Sequence, residues 1–304
     1  MAFLLNLSRR QLAFAGMSLA MLIYGANFVV TRHAVLNGLT AHDLLAVRFA
    51  TAGLMLIPVF GLKGWKDCAG VGWPRGLLLT VMSGFPMSYL MLTGLTMAPA
   101  AHGASIGPGM VTLIGIIGSV ALFGAKLTRP LLLGVIIVIC GLAALAFAGT
   151  KATNLPNLFW GDLCFLGVGL LWGFYPLLLA LWKLDGLKAT AIVSVLSMAY
   201  LPFYAMFFFR GFDVAPWYVI IFHAVNQGIL NVVVGLLLWA WAAKVLGIGI
   251  VGRFPPVIPV IGTLLGIPIL GEWPSLFQLV GIAMIVCGLM LAAWRQTPKV
   301  IPST

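Results

Sequence analysis

Charge is what this sequence has least of. Only 8% of its 304 residues are Asp, Glu, Lys or Arg, and only six of those are acids, where soluble domains carry about 25% charged residues. That excludes a solvated globular domain. The catalytic patterns are missing as well. No phosphate-binding Walker loop, no cluster with metal-ligand spacing and no nucleophile–base constellation is visible. An enzyme buried in a membrane needs a pair such as His–Asp or Ser–His, and none is seen, so no enzymatic activity, cofactor or metal is expected. A channel is disfavoured too, for want of a repeated filter sequence or a ring-forming charge. The four cysteines form no disulfide framework: Cys140, Cys164 and Cys287 lie inside apolar runs and Cys68 in a short basic loop. The first apolar run follows Arg9–Arg10 but is not closed by a small-x-small cleavage site, so it is expected to stay as a first helix.

What is present is hydrophobic sequence. It makes up 62% of the chain, and the mean hydropathy is +1.13. With about 20 apolar residues needed per crossing, ten spans can be placed, at roughly 11–31, 42–62, 75–97, 102–124, 130–149, 158–180, 189–209, 215–242, 248–270 and 275–294. This predicts an all-α integral membrane protein. Lys and Arg outnumber the acids, 17 to 6. The charges stand between apolar runs, so they read as topogenic, and the expected partners are the bilayer and a small molecule, with no nucleic acid. Starting inside, the inner loops and tails hold twelve basic residues (Arg9, Arg10, Lys63, Lys66, Arg75, Lys126, Arg129, Lys183, Lys188, Lys244, Arg295 and Lys299) and the outer loops three (Arg32, Lys151 and Arg210). The asymmetry predicts cytoplasmic termini in a multi-pass cell membrane protein, with a bacterial inner membrane as the expected location.

The chain also repeats itself. Sliding it by 147 residues superposes Pro108 on Pro255, Ile114 on Ile261, Gly115 on Gly262, Gly124 on Gly271, Gly134 on Gly281 and Gly141 on Gly288; residues 104–147 and 251–294 share ten identities without a gap, where composition alone gives roughly four. The repeats are 1–150 and 151–304. Five spans is an odd number, so the second copy enters the membrane inverted, an arrangement of secondary transporters that work by alternating access. The glycines in Gly115–Gly118 and Gly134–Gly141 are read as helix-packing seams.

Candidate substrate-binding residues follow from helical spacing. Tyr24 and Asn27 share a face of the first span, and Trp172 and Tyr175 share one of the sixth. Either pair is a cavity wall or packing. Gln227 and Asn231 lie at i, i+4 on the eighth span, with Gly235 and Trp239 continuing the face; two carboxamides suit the charged ends of a zwitterion, or join helices. Ser83, Pro86 and Tyr89 recur on the third span, as a cavity wall or a kinked packing helix. His102 begins the fourth span and is either a site residue or packing; His223 reads as packing. Arg48, inside the second span, needs a partner. It reads as structural or gating, with Asp43 or Glu272 as candidate partners. Arg253 either snorkels to the inner interface or guards the inner mouth.

Particular residues resemble the EamA family of drug/metabolite transporters: YGANF at Tyr24–Phe28, its echo WGFYP at Trp172–Pro176, Arg48-Phe49, and Pro259 followed by Gly271-Glu272. The resemblance covers nearly the whole chain, and the aromatic-lined cavity resembles that of the family's amino-acid exporters, the aromatic amino-acid exporters included. It implies export of small metabolites, often amino acids, through a central cavity lined by spans 1, 3, 4, 6, 8 and 9. Pro259, Gly271 and Glu272 are taken as structural or gating. The expected function is a monomeric secondary exporter of amphipathic metabolites, large apolar or aromatic amino acids above all. A nucleotide-sugar or sugar-phosphate carrier is the alternative; such anions want several cavity cations, and only Arg48 and Arg253 offer themselves. None of the six acids falls at the midplane, so proton coupling through a carboxylate is not expected.

Overall fold

The computed structural model describes residues 8–62, 64–124, 126–152, 155–211, 215–251 and 253–294. Lys63, Asp213, Arg295 and Lys299 of the sequence reading lie outside the described residues. Ten helical spans follow in order: α1 (Arg9–Leu36), α2 (Ala41–Leu62), α3 (Trp73–Met97), α4 (Ala100–Phe123), α5 (Arg129–Ala152), α6 (Leu158–Leu181), α7 (Gly186–Phe207), α8 (Trp217–Leu246), α9 (Val257–Leu270) and α10 (Leu276–Trp294). Seven of them, α1–α4 and α6–α8, are long and apolar enough to cross a membrane; α5, α9 and α10 contribute the shorter apolar stretches Arg129–Leu145, Val257–Leu270 and Leu276–Ala292. No strand occurs among the described residues.

The helices pack as a two-fold pair of five-helix units. α5 lies on α10, α2 on α7 and α4 on α9, each helix meeting its own counterpart. The remaining main contacts come in matched sets: α4–α6 with α9–α1, and α3–α6 with α8–α1. The symmetry reaches single residues. A Cβ on Gly173 would stand 2.6 Å from the Ile114 Cβ, and one on Gly25 would stand 2.6 Å from the Ile261 Cβ. Where α5 crosses α10, Gly134 faces Gly288 and Gly141 faces Gly281. A Cβ there would lie 2.7 Å from the Gly288 oxygen and 2.8 Å from the Gly281 oxygen respectively. Small residues let membrane helices approach to backbone contact, since no hydrophobic force draws helices together in lipid. The seam expected at Gly115–Gly118 is half right. Gly118 packs on Leu177, whereas Gly115 has open space around it.

Four spans depart from a continuous α-helix: α7 is interrupted at Met198–Ala199, between Gly186–Ser197 and Tyr200–Phe207, and α3, α8 and α9 each change for a local reason. In α3 the helix stops at Gly84 and restarts at Phe85, with Pro86 in the new first turn, where its missing N–H costs nothing. The freed Phe85 N–H donates to Ser197 Oγ of α7 at 3.0 Å. The counterpart of α3 is α8, which is a π-helix over Ala224–Val234, a geometry frequent at functional sites. The ninth span is not continuous from 248, as the sequence reading had it: Pro255 and Pro256 separate a turn at Ile248–Val251 from α9, because proline blocks helix through its own ring and constrains the residue before it. Arg253 therefore sits exposed between that turn and α9, not inside a span. α5 runs through Lys151, which the sequence reading put in a loop.

Candidate functional site

A buried polar chain joins α1, α2 and α8. Arg48 enters from α2, 8% exposed, and donates from Nη1 to Gln227 Oε1 at 3.1 Å. Gln227, fully buried on the π-helical stretch, donates from Nε2 to Thr31 Oγ1 of α1 at 2.6 Å. Asn27 lies one turn before Thr31 on the same helix, and Asn226 directly precedes Gln227; both are buried, and neither side-chain oxygen has a partner. Below them, Tyr24 and Trp239 meet with ring centroids 6.4 Å apart, tilted by 54°. Gly235 makes room for this contact: a Cβ there would stand 2.8 Å from the Tyr24 hydroxyl. Gly228, on the π-helical turn, packs against Thr51 of α2 in the same way, its Cβ position 2.5 Å from Thr51 Cβ.

Of the candidates read from the sequence, the fold thus brings together Tyr24, Asn27, Gln227 and Trp239. Asn231 is only half-buried, one π-turn below. Trp172 packs against the main core, while Tyr175 belongs to a separate cluster with Leu79, Ala189 and Val193. Ser83 ends the first half of α3. Tyr89 meets His42 at a tilt of 38°, 5.2 Å between centroids, in an aromatic group that also holds Phe85, Tyr200 and Phe208; His42 Nδ1 lies 2.6 Å from the Tyr200 hydroxyl. His223 is buried with Nδ1 unpartnered. Thr31, Asn226 and the His42–Tyr200 pair were missed. Thr31 had a signal, seven residues from Tyr24 and four from Asn27 on one stripe.

Neither expected partner of Arg48 is beside it. Both carboxylates are engaged at one end of the bundle, the face where α1 ends and α2 begins. Glu272 Oε1 accepts from Arg32 Nε at 3.0 Å, and Oε2 accepts from the Ala100 N–H, the first of α4, at 2.9 Å. A carboxylate at a helix N-terminus is favoured by the unpaired N–H groups there. Gly271 makes this reach possible. It ends α9 in the left-handed conformation, φ +66°, which a residue with a Cβ rarely adopts. Pro259 is buried about three turns earlier. Asp43 accepts from Arg210 Nη2 at 2.6 Å, from the Tyr204 hydroxyl at 2.7 Å and from the Thr40 N–H at 2.8 Å.

His102 belongs to this face as well. Gln278 closes a capping box with Ser275, its Oε1 accepting the Ser275 N–H. Its amide nitrogen is left 3.0 Å from His102 Nε2. That ring nitrogen must then accept, so Nδ1–H donates to Asp162 Oδ1 at 2.8 Å. Both ring nitrogens are used. The geometry places His102 in a joint of α4, α6 and α10, away from the Arg48 chain.

The profile of the EamA-like transporter family matches residues 11–147 and again residues 159–294, the two units seen in the packing. A Bacillus subtilis protein described as the uncharacterized transporter YetK is 22% identical over 295 residues, covering 92% of this chain and 86% of its own. A solved structure, described only as a crystal structure of a protein, shares the fold with a TM-score of 0.59 at 20% identity, covering 93% of this chain and 97% of its own. Two profile matches in tandem, on ten apolar helices related by a two-fold, settle the family: this multi-pass membrane protein belongs to the EamA-like transporter family.

Proposed function

We propose that this transporter is an exporter of small amphipathic metabolites, above all amino acids with large apolar or aromatic side chains, working as a monomer by alternating access. The observation that carries the reading is the buried polar chain Thr31–Gln227–Arg48 beside the Tyr24–Trp239 aromatic pair. Polar groups held at that depth in an apolar bundle are costly unless they meet a partner or a solute, and the adjoining ring faces suit an aromatic or aliphatic side chain. A sugar-phosphate reading is less favoured. Arg48 is the one buried arginine without an acid partner among the described residues, and Arg253 is exposed. The twelve-to-three charge asymmetry supports cytoplasmic termini in a bacterial inner membrane, which makes the face bearing Glu272 and Asp43 the outer one. Reporter fusions at Arg210 should then report the outside and at Lys183 the inside; an inside signal at Arg210 refutes the orientation.

The decisive measurement is flux of labelled amino acids into liposomes containing the purified chain. Aromatic and large apolar substrates should move down their gradient, and an imposed pH gradient should not concentrate them, since Asp43, Asp162 and Glu272 all lie at the outer ends of spans. Gln227→Ala and Trp239→Ala should cut that flux at least about tenfold while leaving expression intact. A blank result across all twenty amino acids would sink the reading.

A further inference from the structure

The remaining donors of Arg48 have no partner anywhere in the described protein. Its guanidinium sits about 10 Å below the outer end of α2, seven residues from Ala41, and is buried. Its one hydrogen bond goes to a neutral amide, Gln227, and Nε is unsatisfied. A buried arginine is ordinarily matched by a carboxylate, because desolvating an unpaired cation is expensive. Here the carboxylates are committed elsewhere: Asp43 to Arg210, Glu272 to Arg32, Asp162 to His102. The two-fold gives no help, since offsets of 147 or 148 from Arg48 lead to Val195 or Leu196.

Gln227 is fixed in the orientation that serves this charge. Its amide nitrogen is used by Thr31, so its oxygen faces the guanidinium, and it cannot turn to offer more. Along the same chain the unsatisfied atoms change sign. Arg48 offers donors; Asn27 and Asn226 offer acceptors, Oδ1 of each being buried and free.

We propose that Arg48 is the receptor for a carboxylate on the transported solute, with Asn27 and Asn226 accepting hydrogen bonds from its ammonium group. This deepens the amino-acid reading and rests on it for the ammonium half. The carboxylate half stands on Arg48 alone. Arg48 is then a binding residue and not a structural one. A guanidinium takes a carboxylate through two parallel N–H donors, so the solute supplies the counter-charge the protein withholds. A bare amine finds acceptors but also an uncompensated cation, and is rejected.

The test uses the full chain in detergent micelles and three probes that share a phenyl ring: L-phenylalanine, 3-phenylpropionate and 2-phenylethylamine. Binding is read as the shift in melting temperature with probe concentration. Both carboxylates should stabilise the protein, and the amine should bind at least about tenfold more weakly. Arg48→Gln should abolish carboxylate binding. Should that variant fail to fold, Gln227→Glu provides the second arm. It puts a carboxylate on the Nη1 side of the guanidinium and removes the uncompensated charge a solute would meet, so it should melt higher than the parent and lose response to both carboxylate probes. Equal binding of the amine, or normal carboxylate binding by Gln227→Glu, overturns the assignment, as does failure of both carboxylates to bind. If 3-phenylpropionate binds and L-phenylalanine neither binds nor is carried, the carboxylate receptor stands and the amino-acid reading falls.

Discussion

Gly288→Leu should leave no folded protein to purify, whereas Gly115→Ala should be tolerated. The two positions look alike in sequence, each a glycine inside an apolar helix, and helix propensity favours alanine over glycine at both by about 1 kcal/mol. Their surroundings decide the outcome. A Cβ at Gly288 would meet the Gly134 oxygen at 2.7 Å, and the Val138 side chain and N–H at 2.7 and 2.8 Å. The obstacle is largely backbone, which cannot rotate away as a long side chain would. Relief requires α5 and α10 to separate. The two-fold then spreads the damage, because the same crossing carries Gly134, Gly141 and Gly281 in mutual contact. Overpacking costs about 1–3 kcal/mol where a core can adjust, and here a whole helix pair must move. Nothing lies within 4 Å of a Cβ on Gly115, so that alanine adds only propensity. Size-exclusion profiles of the two variants in one detergent check this. A monodisperse Gly288→Leu would show that the α5–α10 crossing is not tight in the membrane.

That contrast marks what the sequence could disclose. The 147-residue offset showed the two-fold before any helix was placed, because glycines kept for close packing recur where the packing recurs. Which glycines touch a neighbour depends on helix rotation, and an all-apolar helix gives no moment from which to read it; Gly115 and Gly118 are three residues apart and differ completely. The polar chain was legible in the same partial way. Tyr24, Asn27, Gln227 and Trp239 were found by spacing. The partner of Arg48 was not, because Asp43 and Glu272 were available only as long as Arg210 and Arg32 were assigned to outer loops. In the fold both arginines turn back onto the bundle: Arg32 is 4% exposed and also donates to the Leu95 oxygen at 2.6 Å. The π-helical turn of α8 was invisible too, since its one-residue change of period is smaller than the scatter of apolar residues around the helix.

On the orientation proposed above, Glu272→Gln should open the outer face. The two ion pairs of the described protein, Arg32–Glu272 and Arg210–Asp43, and the His102–Asp162 hydrogen bond stand at that face, joining α1 to α9, α2 to α7 and α4 to α6. At the inner face the two-fold gives apolar counterparts. An offset of 148 takes Asp162 to Phe14, which packs on Phe254 at 6.1 Å, and an offset of 147 takes Gln278 to Leu131. The left-handed glycine is kept at Gly124, φ +64°, yet Ala125 follows where Glu272 follows Gly271. On the orientation and alternating-access mechanism proposed above, the outer gate is then held by charge and the inner one by side-chain packing. Neutralising Glu272 leaves the buried Arg32 with neutral acceptors alone, the Leu95 oxygen and at best the new amide oxygen, and weakens the cap on α4. Stranding a fully buried charge costs about 3–5 kcal/mol; Glu272 is 19% exposed, so about 1–3 kcal/mol is expected, roughly 5- to 150-fold in the ratio of open to closed forms. A cysteine at Ser105, buried and without a hydrogen-bond partner just inside α4, reports this in a background lacking the four native cysteines. An impermeant maleimide should label it slowly in the parent and at least about fivefold faster with Glu272→Gln. The exchange Arg32→Glu with Glu272→Arg should not restore slow labelling, because the second oxygen of Glu272 caps the N-terminus of α4, where a cation is disfavoured. Unchanged labelling in Glu272→Gln would show that the ion pair does not hold the gate. Full restoration by the exchange would reduce it to a simple pair without the cap.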